Sequence, residues 1–190
     1  MESAVLEQQE RETDEVRIAM SKETFLNWSP DDGFLYEYDN GFAEQTTGMK
    51  RRERYIISNI QAKFLTTKAF GEKAWLFEES DVWVTDSQKR IPDMAFFTRE
   101  QIADTSETEP IPAFVVELIS PSDKADKIER KVIEYFNAGV QAIWHVFPAL
   151  QMVRVFTTVN SNTTHFETDV FDAGPVVPDL SMTVNELFAR

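Results

Sequence analysis

The sequence predicts an α/β fold in which a mixed β-sheet is flanked by helices. Short β-rich runs fill the middle of the chain, one amphipathic helix precedes them and a second helix follows them. Elements in this order are typical of layered α/β domains. The length of 190 residues, with 42% apolar residues and 15 Phe, is sufficient for a single domain with a sizeable core.

Both long helices are predicted from apolar residues at helical spacing. The first lies between Lys50 and Phe70, and its apolar stripe should pack on the sheet. The second begins at Ser122 or Asp123 and ends at Gly139, because polar caps start helices and glycine commonly ends them. A final helical turn is expected at residues 184–188.

The strands are predicted from short β-branched and aromatic runs. Residues 34–38 and 42–45 flank Asn40-Gly41, which favours a hairpin because this pair tolerates positive φ. We expect a charged N-terminal lead over residues 1–20, as a loose segment or a solvent-facing helix, and one domain over 21–190. Further strands are expected at 74–77, 82–85, 91–97, 113–120, 142–147, 152–159 and 166–171.

The composition excludes several kinds of site. The chain has no cysteine, so disulfides, zinc thiolate sites and thiol catalysis are excluded. Only His145 and His165 could supply imidazole ligands, and we interpret His145 as a structural histidine whose hydrogen bonds are satisfied. No window approaches the roughly 20 apolar residues of a membrane span. We therefore expect a soluble, cytoplasmic protein.

The charge distribution is compatible with a negatively charged substrate. The net charge of -14 argues against a general nucleic-acid binder, but residues 51–159 are nearly neutral, with 16 acids and 14 bases. Lys50, Arg51, Arg52 and Arg54 form a basic cluster near the first long helix. This cluster either guides a phosphate backbone toward a site or is a solvated helix face.

Two acidic residues stand in apolar, strand-like segments, Asp93 after Pro92 and Glu117 in a β-branched run. Proline cannot donate a ladder hydrogen bond, so Asp93 should lie at a strand start, a bulge or an edge. A buried carboxylate needs a cation, a metal or hydrogen-bond donors to stay ionised. If the strands pair, both acids can bind one cation. Alternatively, Asp93 caps a turn after Pro92, and Glu117 is a buried structural acid paired with an arginine such as Arg90.

The helix after Glu117 offers a lysine to these acids. At about 100° per residue, Lys131 lies on the flank of the apolar stripe that contains Val132 and Tyr135. Its methylenes can pack against the sheet while its ammonium reaches the carboxylates. The alternative is an ordinary surface lysine.

These residues form a long ordered signature, which consists of Arg90-Ile91-Pro92-Asp93, residues 115–122, Lys131, Tyr135, residues 138–140 and Trp144. The signature resembles the Uma-type restriction endonucleases, a family of the PD-(D/E)XK nuclease superfamily. The likeness runs from about Glu23 to Phe188. It implies a restriction-endonuclease-like fold, with a mixed β-sheet flanked by helices.

The resemblance also implies catalytic roles. Asp93 matches the superfamily aspartate, Glu117 matches the second acid, and Lys131 matches a lysine that has moved from the strand to the next helix. Glu44 matches an additional acid that would help to bind Mg²⁺ or Mn²⁺, and Arg51, Arg52 and Arg54 are candidates for DNA contacts. Glu53 stands where the family often has histidine, and Lys127 where it often has an acid.

The implied function is a Mg²⁺-dependent DNA endonuclease that uses a metal-activated water, as a homodimer because two cuts need two sites. A second interpretation is a catalytically inactive family member that acts as a binding or regulatory homodimer, which the acidity of the chain favours. A third is a hydrolase that acts on RNA or nucleotides. We expect no membrane partner.

Overall fold

A computed structural model of the chain describes residues 16–46, 53–106 and 109–190, which form three sheets and six helices. The strands are β1 Arg17–Ala19, β2 Leu35–Asp39, β3 Phe42–Thr46, β4 Trp75–Glu78, β5 Val82–Thr85, β6 Gln88–Arg90, β7 Met94–Phe97, β8 Phe114–Leu118, β9 Ala142–Phe147, β10 Met152–Thr158, β11 Ser161–Phe166, β12 Val170–Ala173 and β13 Val177–Thr183. The helices are α1 Lys22–Leu26, α2 Arg54–Phe64, α3 Lys68–Gly71, α4 Arg99–Ala103, α5 Ala125–Ala138 and α6 Val184–Leu187.

The central sheet has the strand order β11-β10-β9-β8-β7-β4. Strands β8 and β9 are parallel and the other pairs are antiparallel, which confirms the predicted mixed sheet. Parallel neighbours need a crossover, and α5 provides it. A second sheet has the order β1-β3-β2-β6-β5, and β12 pairs with β13 in a third.

The predicted hairpin at Asn40-Gly41 is confirmed. Strands β2 and β3 pair from Leu35 opposite Thr46 to Asp39 opposite Phe42. Asn40 and Gly41 have φ values of 46° and 94°, the left-handed region that this turn requires.

The second long helix ends as predicted but begins later. Gly139 has φ 114° and its N–H donates to the carbonyls of Tyr135 and Phe136. The residue that precedes the helix is Lys124 and not Ser122 or Asp123. The reason is local, because the Asp123 carboxylate accepts the Ser120 N–H at 2.7 Å and belongs to the preceding turn.

Three other predicted segments differ from the observed elements. The first long helix is divided, since α2 ends at Phe64 and Thr67 caps α3. The predicted strand 91–97 is shorter, because three residues separate β6 from β7. A turn with Glu167 at φ 49° separates β11 from β12 within residues 166–171.

The N-terminal lead is described only at its end. Strand β1 lies within it and pairs with β3, so the described part is a strand and not a helix. Residues 1–15 and 47–52 lie outside the described residues, and the boundary at residue 20 stays a prediction.

Apolar side chains cover both faces of the central sheet. On one face the core includes α2, α6 and Trp144, and on the other α5 packs through Val132 and Tyr135. Among the described helices, none has the length and apolar character that a membrane span needs. The face beneath α5 is the one that carries the candidate site.

Candidate active site

The pairing of β7 and β8 brings Asp93 next to Glu117. Met94 lies opposite Val116, so Asp93, one residue earlier, is level with Glu117 at the end of the ladder. The Leu118 N–H donates to Asp93 Oδ2 over 2.6 Å. Asp93 directly precedes a strand, in agreement with the effect expected of Pro92. Its bond crosses to the neighbouring strand, so the interpretation of Asp93 as a turn cap is wrong.

Helix α5 places Lys131 over Glu117. The Lys131 ammonium lies 3.6 Å from Glu117 Oε1 and 2.8 Å from Glu37 Oε1. One helical turn later, the Tyr135 hydroxyl donates to the same Glu117 oxygen at 2.7 Å. Lys131 is therefore bound between two carboxylates and is not an ordinary surface lysine.

Glu37 is a member of this cluster that the sequence analysis did not assign to the site. It comes from β2 in the second sheet, is buried, and accepts the Ile91 N–H at 3.0 Å in addition to the Lys131 ammonium. A signal for it was present, because Glu37 stands between two tyrosines in a strand-like run, as Glu117 stands among aliphatic residues. The site is thus built from two sheets and one helix.

Glu44 lies at the same cavity but faces other cations. It is opposite Glu37 in the β2–β3 register, which puts the two side chains on one face. Its carboxylate is 2.9 Å from the Arg17 guanidinium and 3.1 Å from the Lys127 ammonium. Lys127, at the position where the family often has an acid, therefore binds the acid that the resemblance assigned to the metal.

The acids surround a cavity of about 230 Å³. Its lining includes Glu37, Glu44, Asp93, Glu117, Lys131 and His145. Glu53 also lines it. Of the predicted DNA contacts, Arg54 is exposed in the first turn of α2, whereas Arg51 and Arg52 lie outside the described residues.

The two central acids are poorly neutralised. Burial and the neighbouring Glu117 raise the pKa of Asp93 to about 7, although the Leu118 N–H and Lys131 act in the opposite direction. Burial also raises the pKa of Glu117, against the opposing effect of Lys131 and Tyr135. An arrangement of this kind favours the uptake of a proton or a cation.

Lys131 stays charged at this position. Burial alone would lower its pKa, but Glu117 and Glu37 hold it above the ordinary value for lysine. Burial alone would raise the pKa of Glu37, but the positive charges of Lys131 and Arg90 hold that pKa below its ordinary value. The ammonium is thus a fixed positive charge that cannot act as a general base near neutral pH.

Arg90 does not pair with Glu117, so the expected pairing of Glu117 with Arg90 is wrong. The Arg90 guanidinium instead lies 2.7 Å from Glu134 Oε2 and 3.3 Å from Asp39 Oδ1. Arg90 therefore pairs directly with these two acids, and its charge also lowers the pKa of Glu37.

His145 is fully buried, and neither ring nitrogen has a hydrogen-bond partner among the described residues. The expectation that its hydrogen bonds are satisfied is therefore wrong. It lies beside Glu117 on the adjacent strand β9.

The residues fit a hard divalent cation. Within the described ranges, no three His, Cys, Asp or Glu side chains are close enough together to hold a metal ion as they stand. Mg²⁺, however, is commonly bound through one or two carboxylates while it keeps several waters. Asp93 and Glu117 supply two oxygen ligands and an excess of negative charge, which is the donor set that such an ion needs.

A solved structure has a similar fold. It is described as a "putative nuclease belonging to DUF820 from Anabaena variabilis ATCC 29413", with a TM-score of 0.72 and 19% sequence identity. The alignment covers 88% of this chain and 96% of that one. It supports the predicted fold class. No curated protein matches the chain significantly.

The family assignment comes from the sequence itself. The profile of the Uma2 family, described as "Putative restriction endonuclease", matches residues 22–185. This range contains Asp93, Glu117 and Lys131, which the structure brings together. The chain belongs to the Uma2 family.

Proposed function

We propose that this protein is a metal-dependent endonuclease that hydrolyses phosphodiester bonds in DNA. The observation that carries the proposal is the meeting of Asp93, Glu117 and Lys131 in one cavity, which brings two neighbouring carboxylates and an ammonium together. Asp93 and Glu117 would hold Mg²⁺ or Mn²⁺, and the family description and the nuclease-like fold support the reaction class.

When bound, the ion would provide polarisation of the substrate's phosphoryl group and a coordinated water of lowered pKa. The chain's own residues have separate tasks. Lys131, held by Glu37 and Glu117, presents a positive charge where negative charge develops on the phosphoryl oxygens. Tyr135 fixes one oxygen of Glu117 and leaves the other oxygen available for the ion.

Several features support DNA as the substrate. Both the family and the solved neighbour are described as nucleases, and restriction enzymes cut DNA. The exposed Arg54 follows Glu53, which lines the cavity, and could bind a phosphate there, while Arg51 and Arg52 add positive charge to the same part of the sequence. A homodimer would supply two sites for two cuts.

The proposal is tested by plasmid cleavage with Mg²⁺ or Mn²⁺. We expect nicking that depends on the ion and is lost in Asp93→Asn, along with binding of the ion in calorimetry. Asp81→Asn is the matched control, because Asp81 pairs with Lys89 at 2.8 Å and does not line the cavity. Cleavage that continues in EDTA, or an Asp93→Asn variant with full activity, would contradict the proposal.

A binding or regulatory homodimer without catalysis remains the second candidate. The net charge of -14 and the Lys127–Glu44 pair at the cavity favour it. It predicts no ion-dependent cleavage of DNA, RNA or nucleotides, so the same assay with these three substrates separates the candidates.

A further inference from the structure

A row of polar residues crosses the central sheet beneath α5. Asp93 precedes β7, Glu117 lies on β8, and His145 lies opposite Glu117 on β9. Arg154 follows on β10, opposite His145. Residues opposite each other on neighbouring strands share a face and stand about 5 Å apart. Glu117 is therefore flanked by Asp93 on one side and by His145 on the other.

Within the part of the chain that the structure describes, His145 has no hydrogen-bond partner although it is buried. Its exposed fraction is 0%, and both ring nitrogens are without a hydrogen bond among the described residues. Its ring packs against Phe156, with the centroids 4.9 Å apart. Buried polar groups in folded proteins are almost always satisfied by protein, water or an ion. Because His145 lines the same cavity as Asp93 and Glu117, a ligand in that cavity can satisfy it.

We propose that His145 supplies a nitrogen ligand to the ion held by Asp93 and Glu117, so that the site binds Mn²⁺ more tightly than Mg²⁺. This inference rests on the proposed function, since it requires an ion at the two carboxylates. Carboxylates and water suit Mg²⁺, whereas imidazole suits first-row transition ions. The three side chains do not converge on one point as they stand. The proposal therefore requires these side chains to rotate toward the ion when it binds.

The direct test is pulsed electron paramagnetic resonance of the full chain loaded with Mn²⁺, after the histidines are labelled with nitrogen-15. We expect a coupling between Mn²⁺ and a histidine nitrogen. The chain has two histidines, and the second, His165, hydrogen-bonds to Thr163 on β11 and does not line the cavity. The coupling should therefore persist in the His165→Gln control. This assigns it to His145 even if a variant at position 145 fails to fold.

Calorimetry provides the second measurement. We expect His145→Gln to lower the affinity for Mn²⁺ by about tenfold or more, and that for Mg²⁺ by less than about threefold. Mn²⁺ that binds at Asp93 and Glu117 without a histidine coupling would overturn the role of His145 and leave the proposed function intact. If the wild-type protein binds neither ion, both proposals are overturned.

Discussion

Arg90 and Asp93 are three residues apart in the chain, yet they belong to two groups of buried charge whose carboxylates are paired differently. In the first, the Arg90 guanidinium bonds to Glu134 and Asp39, and the pKa of Asp39 lies below its ordinary value. In the second, Asp93 and Glu117 compete for the charge of Lys131, and the pKa values of both acids are raised. Each group sets two carboxylates against one cation, but in the first both carboxylates bond directly to the guanidinium. In the second, Asp93 bonds to the Leu118 N–H and makes no ion pair with Lys131, so its charge is the one that a bound cation would neutralise.

Removal of Arg90 should have the largest effect. In Arg90→Met the carboxylates of Asp39 and Glu134 stay buried without their partner, and such a loss costs about 3 to 5 kcal/mol. We expect that decrease in the free energy of unfolding, measured with urea. Arg99→Met is the control, because Arg99 is exposed in the first turn of α4. Equal losses in the two variants would contradict a structural role specific to Arg90.

Removal of Lys131 tests the second group. If its charge stabilises the transition state, Lys131→Met should slow DNA cleavage about 100-fold at saturating Mn²⁺, in single-turnover experiments. The exposed Lys68, paired only loosely with Glu72 at 3.4 Å, provides the control variant Lys68→Met. An unchanged rate in Lys131→Met would show that the ammonium has no catalytic role.

Asp93 should destabilise the metal-free protein at high pH. Its pKa rises from 3.8 to about 7 on folding, so the folded protein holds a proton that the unfolded chain releases between these values. Stability is therefore lost as the pH rises from 4 to 7. We expect Asp93→Asn to be more stable than wild type by roughly 1 to 3 kcal/mol at pH 8, and equal at pH 4.

That comparison is measured by thermal unfolding in EDTA, with Asp81→Asn as the reference. A variant that is less stable than wild type at pH 8 would mean that Asp93 is well neutralised without an ion. The two groups of charge would then not differ in the way the structure indicates.

Glu44 should have the smallest effect. Its carboxylate already binds Arg17 and Lys127 at exposed or half-exposed positions, where ion pairs contribute about 0 to 1 kcal/mol. We expect Glu44→Gln to change the Mn²⁺ affinity by less than about threefold in calorimetry. A loss comparable to that of Asp93→Asn would instead make Glu44 a direct ligand, as the family resemblance suggests.

The sequence predicted the parts of the site that carry a strong local signal. Asp93 after proline and Glu117 in a β-branched run stand out because charge is costly in such segments. The helical position of Lys131 followed from periodicity. Periodicity also predicted α5, whose end at Gly139 could be located from the glycine alone.

Contacts between the two sheets could not be predicted in the same way. The bond from Lys131 to Glu37 joins residues 94 positions apart, and no local pattern determines how the second sheet packs against α5. The lack of a hydrogen-bond partner for His145 among the described residues could not be predicted either. A histidine in an apolar strand has the same sequence pattern whether or not a polar side chain approaches it. The pairing of Arg90 with Glu134 likewise depends on tertiary packing.

The segment Ile91-Pro92-Asp93 connects the second sheet to the central one. Arg90 is held by its ion pairs at one end of this segment, and Asp93 is held by the Leu118 N–H at the other. The number of residues between them is therefore constrained. A single residue inserted there would displace either the guanidinium or the carboxylate by about 3.5 Å. An insertion between Arg90 and Asp93 should therefore disrupt one of the two groups of charge even though every charged residue is still present.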